Sequence, residues 1–133
     1  MRLTVFTLFV TDQDQALRFY VDRLGFTVTE DKRLSDYRWL LVSASQSEEV
    51  GINLELARTP DQQALVGKQG GGKPVFALAT DDCHRDYRAM KARGVTFDSE
   101  PRTMPYGTGV TLSDLYGNKI YLNEEPADAG LAR

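Results

Sequence analysis

The sequence predicts an α+β fold: two tandem βαβββ modules whose paired curved sheets enclose a cleft. Three observations predict it. Val5-Phe6-Thr7-Leu8 returns as Val75-Phe76-Ala77-Leu78. Each run leads to an acidic residue that opens a helical stretch, Asp12 in the first half and Asp81 or Asp82 in the second, and the stretches stop at Gly25-Phe26 and Gly94-Val95. Each half then closes on an alternating strand, Ile52-Asn53-Leu54-Glu55-Leu56 and Ile120-Tyr121-Leu122-Asn123.

The elements follow in order. Residues 3–10 are almost all apolar or β-branched and predict a buried strand. Thr11-Asp12 supplies a helix cap, and Ala16, Leu17, Phe19, Tyr20 and Leu24 fall on one helical stripe. Gly25 stands where a helix end favours a left-handed residue. Residues 26–30 and 37–43 predict two strands around a polar turn at Asp31 to Asp36, and residues 50–57 a fourth strand. Thr59 to Gly72 is a polar connector. The second half restarts at residues 74–80, with a helix over Asp82 to Arg93 and strands over 95–98, 108–113 and 118–123. Asp114-Leu115-Tyr116-Gly117-Asn118 is a turn, since Asp starts one well and Gly-Asn tolerates positive φ. The domain plan is one domain over 1–133, with modules at 1–58 and 74–125, a linker at 59–73 and a tail at 126–133, the chain end being acidic and small from Glu124.

Composition narrows the function. A net charge of −3 without a basic run argues against nucleic-acid binding. No apolar stretch reaches the roughly 18 residues of a membrane span. The start, Met1-Arg2-Leu3-Thr4, runs into a strand without the features of a signal peptide. The single cysteine, Cys83, and single histidine, His84, leave no internal disulfide and no multi-Cys or multi-His metal site. The expectation is a cytoplasmic protein.

Strand parity picks out the inner face. With Ile52, Leu54 and Leu56 under the first helix, Asn53 and Glu55 face away; with Ile120 and Leu122 covered, Lys119, Tyr121 and Asn123 do. The matching first-strand sets are Val5, Thr7 and Phe9, and Val75, Ala77 and Ala79. A dry core does not accept Glu55 or Lys119 without partners, and a wet face rarely carries Val5, Phe9 and Val75. A partly enclosed cleft accommodates both.

Several segments together resemble the vicinal oxygen chelate superfamily of glyoxalase I, bleomycin-resistance proteins and extradiol dioxygenases. They are Phe9-Val10-Thr11-Asp12, Ala16-Leu17-Arg18-Phe19-Tyr20, Leu24-Gly25-Phe26, Asn53-Leu54-Glu55-Leu56, Phe76-Ala77-Leu78 and Asp114 to Ile120. The match covers about residues 3–125. Metal-dependent members are similar in using four inward positions, which map here onto Val5, Glu55, Val75 and Tyr121. Only Glu55 is a ligand type, and a transition metal needs three or four N, O or S donors, so the expectation is no metal and no cofactor. The resemblance also implies a homodimer.

Glu55 is the best single candidate. It can accept a hydrogen bond from a ligand, pair with a cation, or act as a base if burial raises its pKa. The plainer alternative is an inherited carboxylate paired with Arg38 or Lys119. Tyr121 offers a phenol, and Trp39 a stacking surface if it faces the cleft; Arg38, its neighbour, then points the other way. Met104-Pro105-Tyr106-Gly107 forms a loop able to cover a guest, or simply a connector. Cys83-His84 is no nucleophile–base pair, because adjacent helical residues diverge by about 100°. Gly67 to Lys73 spells a phosphate-loop pattern, but Pro74 and a strand follow it where a helix is required.

The function expected is metal-free binding of a small organic molecule in the cleft between the modules, through Val5, Thr7, Phe9, Trp39, Asn53, Glu55, Ala77, Tyr106 and Tyr121. The alternative is a lyase, isomerase or dioxygenase with Glu55 as base or residual metal ligand.

Overall fold

The computed structural model describes residues 1–127, in which the chain forms two compact units meeting at Gln69 and Gly70. The first contains β1 (Val5–Val10), α1 (Gln13–Arg18), a π-helical turn (Phe19–Arg23), β2 (Thr27–Leu34), β3 (Tyr37–Ser43), β4 (Gly51–Leu56) and α2 (Pro60–Leu65). Its sheet order is β1-β4-β3-β2, with β1 parallel to β4 and the remaining pairs antiparallel. The second contains β5 (Pro74–Ala79), α3 (Cys83–Ala92), β6 (Thr96–Phe97), β7 (Arg102–Met104), β8 (Gly107–Ser113) and β9 (Lys119–Glu124). Its order is β5-β9-β8-β6, and β7 pairs with the other end of β8 along the same edge. The two units share one topology, except that the counterpart of β2 is broken into β6 and β7 around Ser99-Glu100-Pro101. Pro101 has no amide hydrogen to extend the ladder.

Both first helices start as the sequence predicts. Asp12 accepts from the Gln15 amide at 2.9 Å, and Asp82 rather than Asp81 caps α3, accepting from the Arg85 amide at 3.0 Å. The first helix ends in a π-helical turn at Gly25, whose φ of +82° suits glycine. Behind the sheet lie Ala16, Phe19 and Tyr20, with the Tyr20 and Phe26 ring centroids 5.5 Å apart. Leu8, Val10, Leu40, Val42 and Leu54 are all buried. In the second unit Cys83, Met90, Leu112, Ile120 and Leu122 are buried, and Tyr87 packs edge-on against Phe97 at 4.7 Å. The turn at Asp114 forms as expected: its Oδ1 accepts from the Tyr116 and Asn118 amides, and Gly117 has a φ of +95°.

Three expectations need correction. The hairpin β2–β3 extends through Leu34, so Asp31 to Leu34 lie in a strand and only Ser35-Asp36 turns, with Ser35 at a φ of +57°. Cross-strand bonds hold the polar run in the ladder: Arg38 grips Asp31 with two bonds of 2.9 Å, and Trp39 Nε1 donates to Glu30 Oε2 at 2.5 Å. The connector contains α2, set by a capping box in which Thr59 and Gln62 exchange bonds, with Pro60 in the first turn. Its far end is structural too: Gln69 Nε2 donates to the Thr7 carbonyl at 2.9 Å and its Oε1 accepts from the Phe9 amide at 2.7 Å. One side-chain amide thus covers part of the open edge of β1, where a bare strand invites pairing with another chain. Finally, Met104-Pro105-Tyr106-Gly107 is the tip of the β7–β8 hairpin. The tail from 126 lies outside the described residues beyond Ala127.

Arg38 ties α1 to the sheet. Its side chain is 10% exposed and also bonds Asp14 on α1 at 2.6 Å. Hydrogen bonding to this guanidinium lowers the pKa of both Asp14 and Asp31. A carboxyl depressed on folding stabilises the fold fully above its unfolded pKa of about 4, and that contribution disappears as pH falls through the folded value. Arg38→Met is therefore expected to cost about 1 kcal/mol, a few degrees of Tm, at pH 7. The gap to the parent protein should shrink below pH 4. Thermal melts across pH 3–7 check this, and a gap constant with pH would contradict it.

Candidate functional site

Ladder register assigns the faces of each sheet. In the first unit Thr7 pairs with Asn53, Phe9 with Glu55, and Leu41 with Asn53. Alternation then places Val5, Thr7, Phe9, Tyr37, Trp39, Asn53 and Glu55 on one face. Arg38, bonded to helix α1, lies on the other. Trp39 is thus on the helix-free face, half-buried, with its indole engaged by Glu30.

Glu55 has a partner that the sequence did not reveal. Tyr37 Oη lies 2.8 Å from one carboxylate oxygen and 3.0 Å from the other. Burial, followed by this carboxylate, raises the Tyr37 pKa, so the phenol keeps its proton and acts as donor. Neither expected cation is there: Arg38 serves Asp14 and Asp31, and Lys119 bonds Asp98 at 2.7 Å and Ser113 at 3.0 Å. A carboxylate held this way is positioned to accept hydrogen bonds. Beside it, Asn53 is buried and its Oδ1 has no partner among the described residues.

In the second unit Ala77 pairs with Tyr121 and Thr111 with Tyr121, so Ala77, Thr111 and Tyr121 share a face, joined by Gly109 and Ser113. Val75 falls within an irregularity of the β5–β9 ladder. Arg102 stands opposite Gly109 and Met104 opposite Gly107, which brings β7 onto the same face. Together with Asp98 and Ser99 these residues line an open groove of about 410 Å³. Tyr121 lies diagonally across β8, over Gly109: a Cβ there would overlap the phenol oxygen and Cζ and stand 3.0 Å from Cε1. Burial, then the neighbouring Tyr106, raises the Tyr121 pKa, so this phenol is also a protonated donor. Of the sequence-selected residues, Tyr106 and Tyr121 meet in this groove. Met104 belongs to the loop singled out as able to cover a guest, whereas Arg102, Gly109 and Thr111 were missed. Gly109 was detectable as a glycine inside a strand, where a close approach is a usual reason.

The register also shifts one equivalence. Thr7 and Ala77 are matching positions of the repeat, and they pair with Asn53 and Tyr121. The counterpart of Tyr121 is therefore Asn53, and Glu55 corresponds to Asn123, not to Tyr121. The metal-ligand positions of the resemblance then fall on Val5, Asn53, Val75 and Tyr121. Two of these side chains have no donor atom and a third offers only an amide, a set that does not fit a transition metal. Among the described residues no three His, Cys, Asp or Glu side chains gather as a metal-ion site. Cys83 is buried at the start of α3, its thiol pKa raised by burial and then by Glu124, while His84 is exposed. No helix among the described residues is long and apolar enough to cross a membrane.

Comparison with known proteins agrees with this architecture. The family profile described as Glyoxalase/Bleomycin resistance protein/Dioxygenase superfamily matches residues 2–122. An uncharacterized protein of Shewanella frigidimarina is 41% identical over 113 residues, 84% of each chain. The crystal structure of UcmS2 superposes with a TM-score of 0.82 at 32% identity, covering 92% of this chain and 97% of that one. TnmS3, an antibiotic binding protein from Streptomyces sp. CB03234, superposes with a TM-score of 0.80 at 29% identity over 95% and 97% of the two chains.

Proposed function

The chain belongs to the glyoxalase/bleomycin resistance protein/dioxygenase superfamily, and from that premise we propose that it binds a small organic molecule by direct side-chain contact, without a metal. The observation that carries this is the second-unit groove of about 410 Å³, within the size range of small-molecule sites. Tyr121 and Tyr106 offer ring faces and phenols, Met104 a polarizable side chain, and Arg102 a charged fork. The likeness to an antibiotic binding protein supports the same reading. In the first unit the helix-free face carries apolar, polar and aromatic side chains of its own, Val5, Thr7, Phe9, Trp39, Asn53 and the Tyr37–Glu55 pair, and in the second unit Ala77 shares the face of Tyr121. The donor set described above does not fit a metal-dependent reaction, and Glu55, already bonded to Tyr37, serves as an acceptor. A homodimer is part of this proposal, checked by light scattering.

A thermal-shift screen of aromatic natural products, antibiotics included, tests the function. A ligand present at a hundred times its Kd should add about 2.7 kcal/mol of stability. Tyr121→Ala combined with Tyr106→Ala should abolish that shift. Hits that stabilise the double variant as much as the parent protein would refute the assignment of the groove.

A further inference from the structure

The groove also indicates which chemical class it takes, an inference that rests on the function just proposed. Three donors line the groove without a hydrogen-bond partner among the described residues. The Arg102 guanidinium makes no ion pair or hydrogen bond among the described residues, and neither the Tyr106 nor the Tyr121 hydroxyl has a hydrogen-bond partner there. The one acidic side chain in the lining, Asp98, is already neutralised by Lys119 at 2.7 Å. The groove is therefore locally cationic by one charge in a chain whose formal net charge is −3. Around these donors the surface is suited to a flat ring: Met104 and Tyr106 remain 44% and 64% exposed, and Tyr121 lies over the backbone of Gly109. Tyr stacks on an aromatic ring, Arg lies over its face and Met makes favourable sulfur contacts with it.

We propose that the ligand is an acidic aromatic molecule, its ring lying on Tyr121 and Met104 and its carboxylate or ionised phenol held by the Arg102 fork and the free phenols. Register supports the geometry, because Arg102 stands directly opposite Gly109 and so beside the ring of Tyr121. A guanidinium binds a carboxylate through two parallel bonds, which fixes orientation as well as charge.

Calorimetric titration with 3-hydroxy-2-naphthoate and with its neutral amide tests this class. The acid should bind about tenfold more tightly than the amide at low salt, and the preference should shrink as salt is raised. Arg102→Gln, a change at an exposed side chain with no partner among the described residues, should remove the preference by weakening the acid about tenfold more than the amide. Equal affinities in the parent protein, or a preference that survives Arg102→Gln, would overturn the inference while leaving small-molecule binding intact. If neither probe binds, the acidic-aromatic inference falls, while the thermal-shift screen decides small-molecule binding separately.

Discussion

Gly109→Ala is expected to keep the fold and lose the ligand. A Cβ at residue 109 meets the outer end of Tyr121, not the backbone, since the overlapping atoms are the phenol oxygen and Cζ. A side-chain end can swing away by a change of rotamer, so the stability cost should stay near 1 kcal/mol. The site cannot compensate in the same way. Once lifted from β8, the ring enters the space that a guest would fill, and its hydroxyl leaves the lining it shares with Tyr106 and Arg102. Losing a stacking face and a donor together should weaken binding of the naphthoate probe about 10- to 100-fold. Calorimetry alongside urea unfolding separates the two effects. In a double-mutant cycle, Tyr121→Ala in the Gly109→Ala background should recover stability without recovering binding, because the two residues occupy one volume. Independent, additive effects would show that the ring does not rest on Gly109.

The same positions show why the fold was more legible than the site. Parity along Asn53 to Leu56 and Lys119 to Asn123 is a local property, and it placed Glu55 and Tyr121 on the helix-free faces without knowledge of partners. Tyr37 required more. The sequence predicts strand 37–43, and alternation puts Tyr37 on the face of Trp39, but its bond to Glu55 exists only because β3 lies beside β4 in the sheet, a pairing with no local mark in the sequence. The extension of β2 through residue 34 likewise rests on cross-strand bonds, such as that of Arg38 to Asp31, that override a local turn preference. The groove depends on a strand broken at Ser99-Glu100-Pro101, which appears in sequence as ordinary connector chemistry. The capping box of α2, by contrast, was present in Thr59-Pro60-Asp61-Gln62 and was obscured by the polar composition around it. The equivalence of Asn53 with Tyr121 needed the ladders: the similar strings Leu-Glu-Leu and Ile-Tyr-Leu align in letters but sit two residues apart in register.

Gly107→Ala, two residues earlier on the same strand, should do the opposite and damage stability first. Its φ is +137°, a conformation that side chains with a Cβ rarely adopt. A Cβ there would overlap the carbonyl oxygen of Glu124 and stand 3.1 Å from Asn123 Oδ1. The obstacle is backbone in β9, fixed by the pairing of Thr108 with Glu124, and no rotamer change removes it. Conformational strain and forced separation of the strands together should cost about 3 kcal/mol, and Tm should fall by about 10 °C. Gly25→Ala is the matched control: its φ is +82°, but nothing lies within 4 Å of the new Cβ, so it should cost only about 1 kcal/mol. Similar losses at both glycines would mean that dihedral strain alone is at work and that β9 does not crowd the hairpin turn. Gly107 pairs with Met104, and the β7–β8 hairpin carries Arg102, Met104 and Tyr106. The turn that makes this glycine costly to replace therefore also holds three of the groove's side chains in place, and residual folded Gly107→Ala protein should bind the probe more weakly than its stability alone predicts.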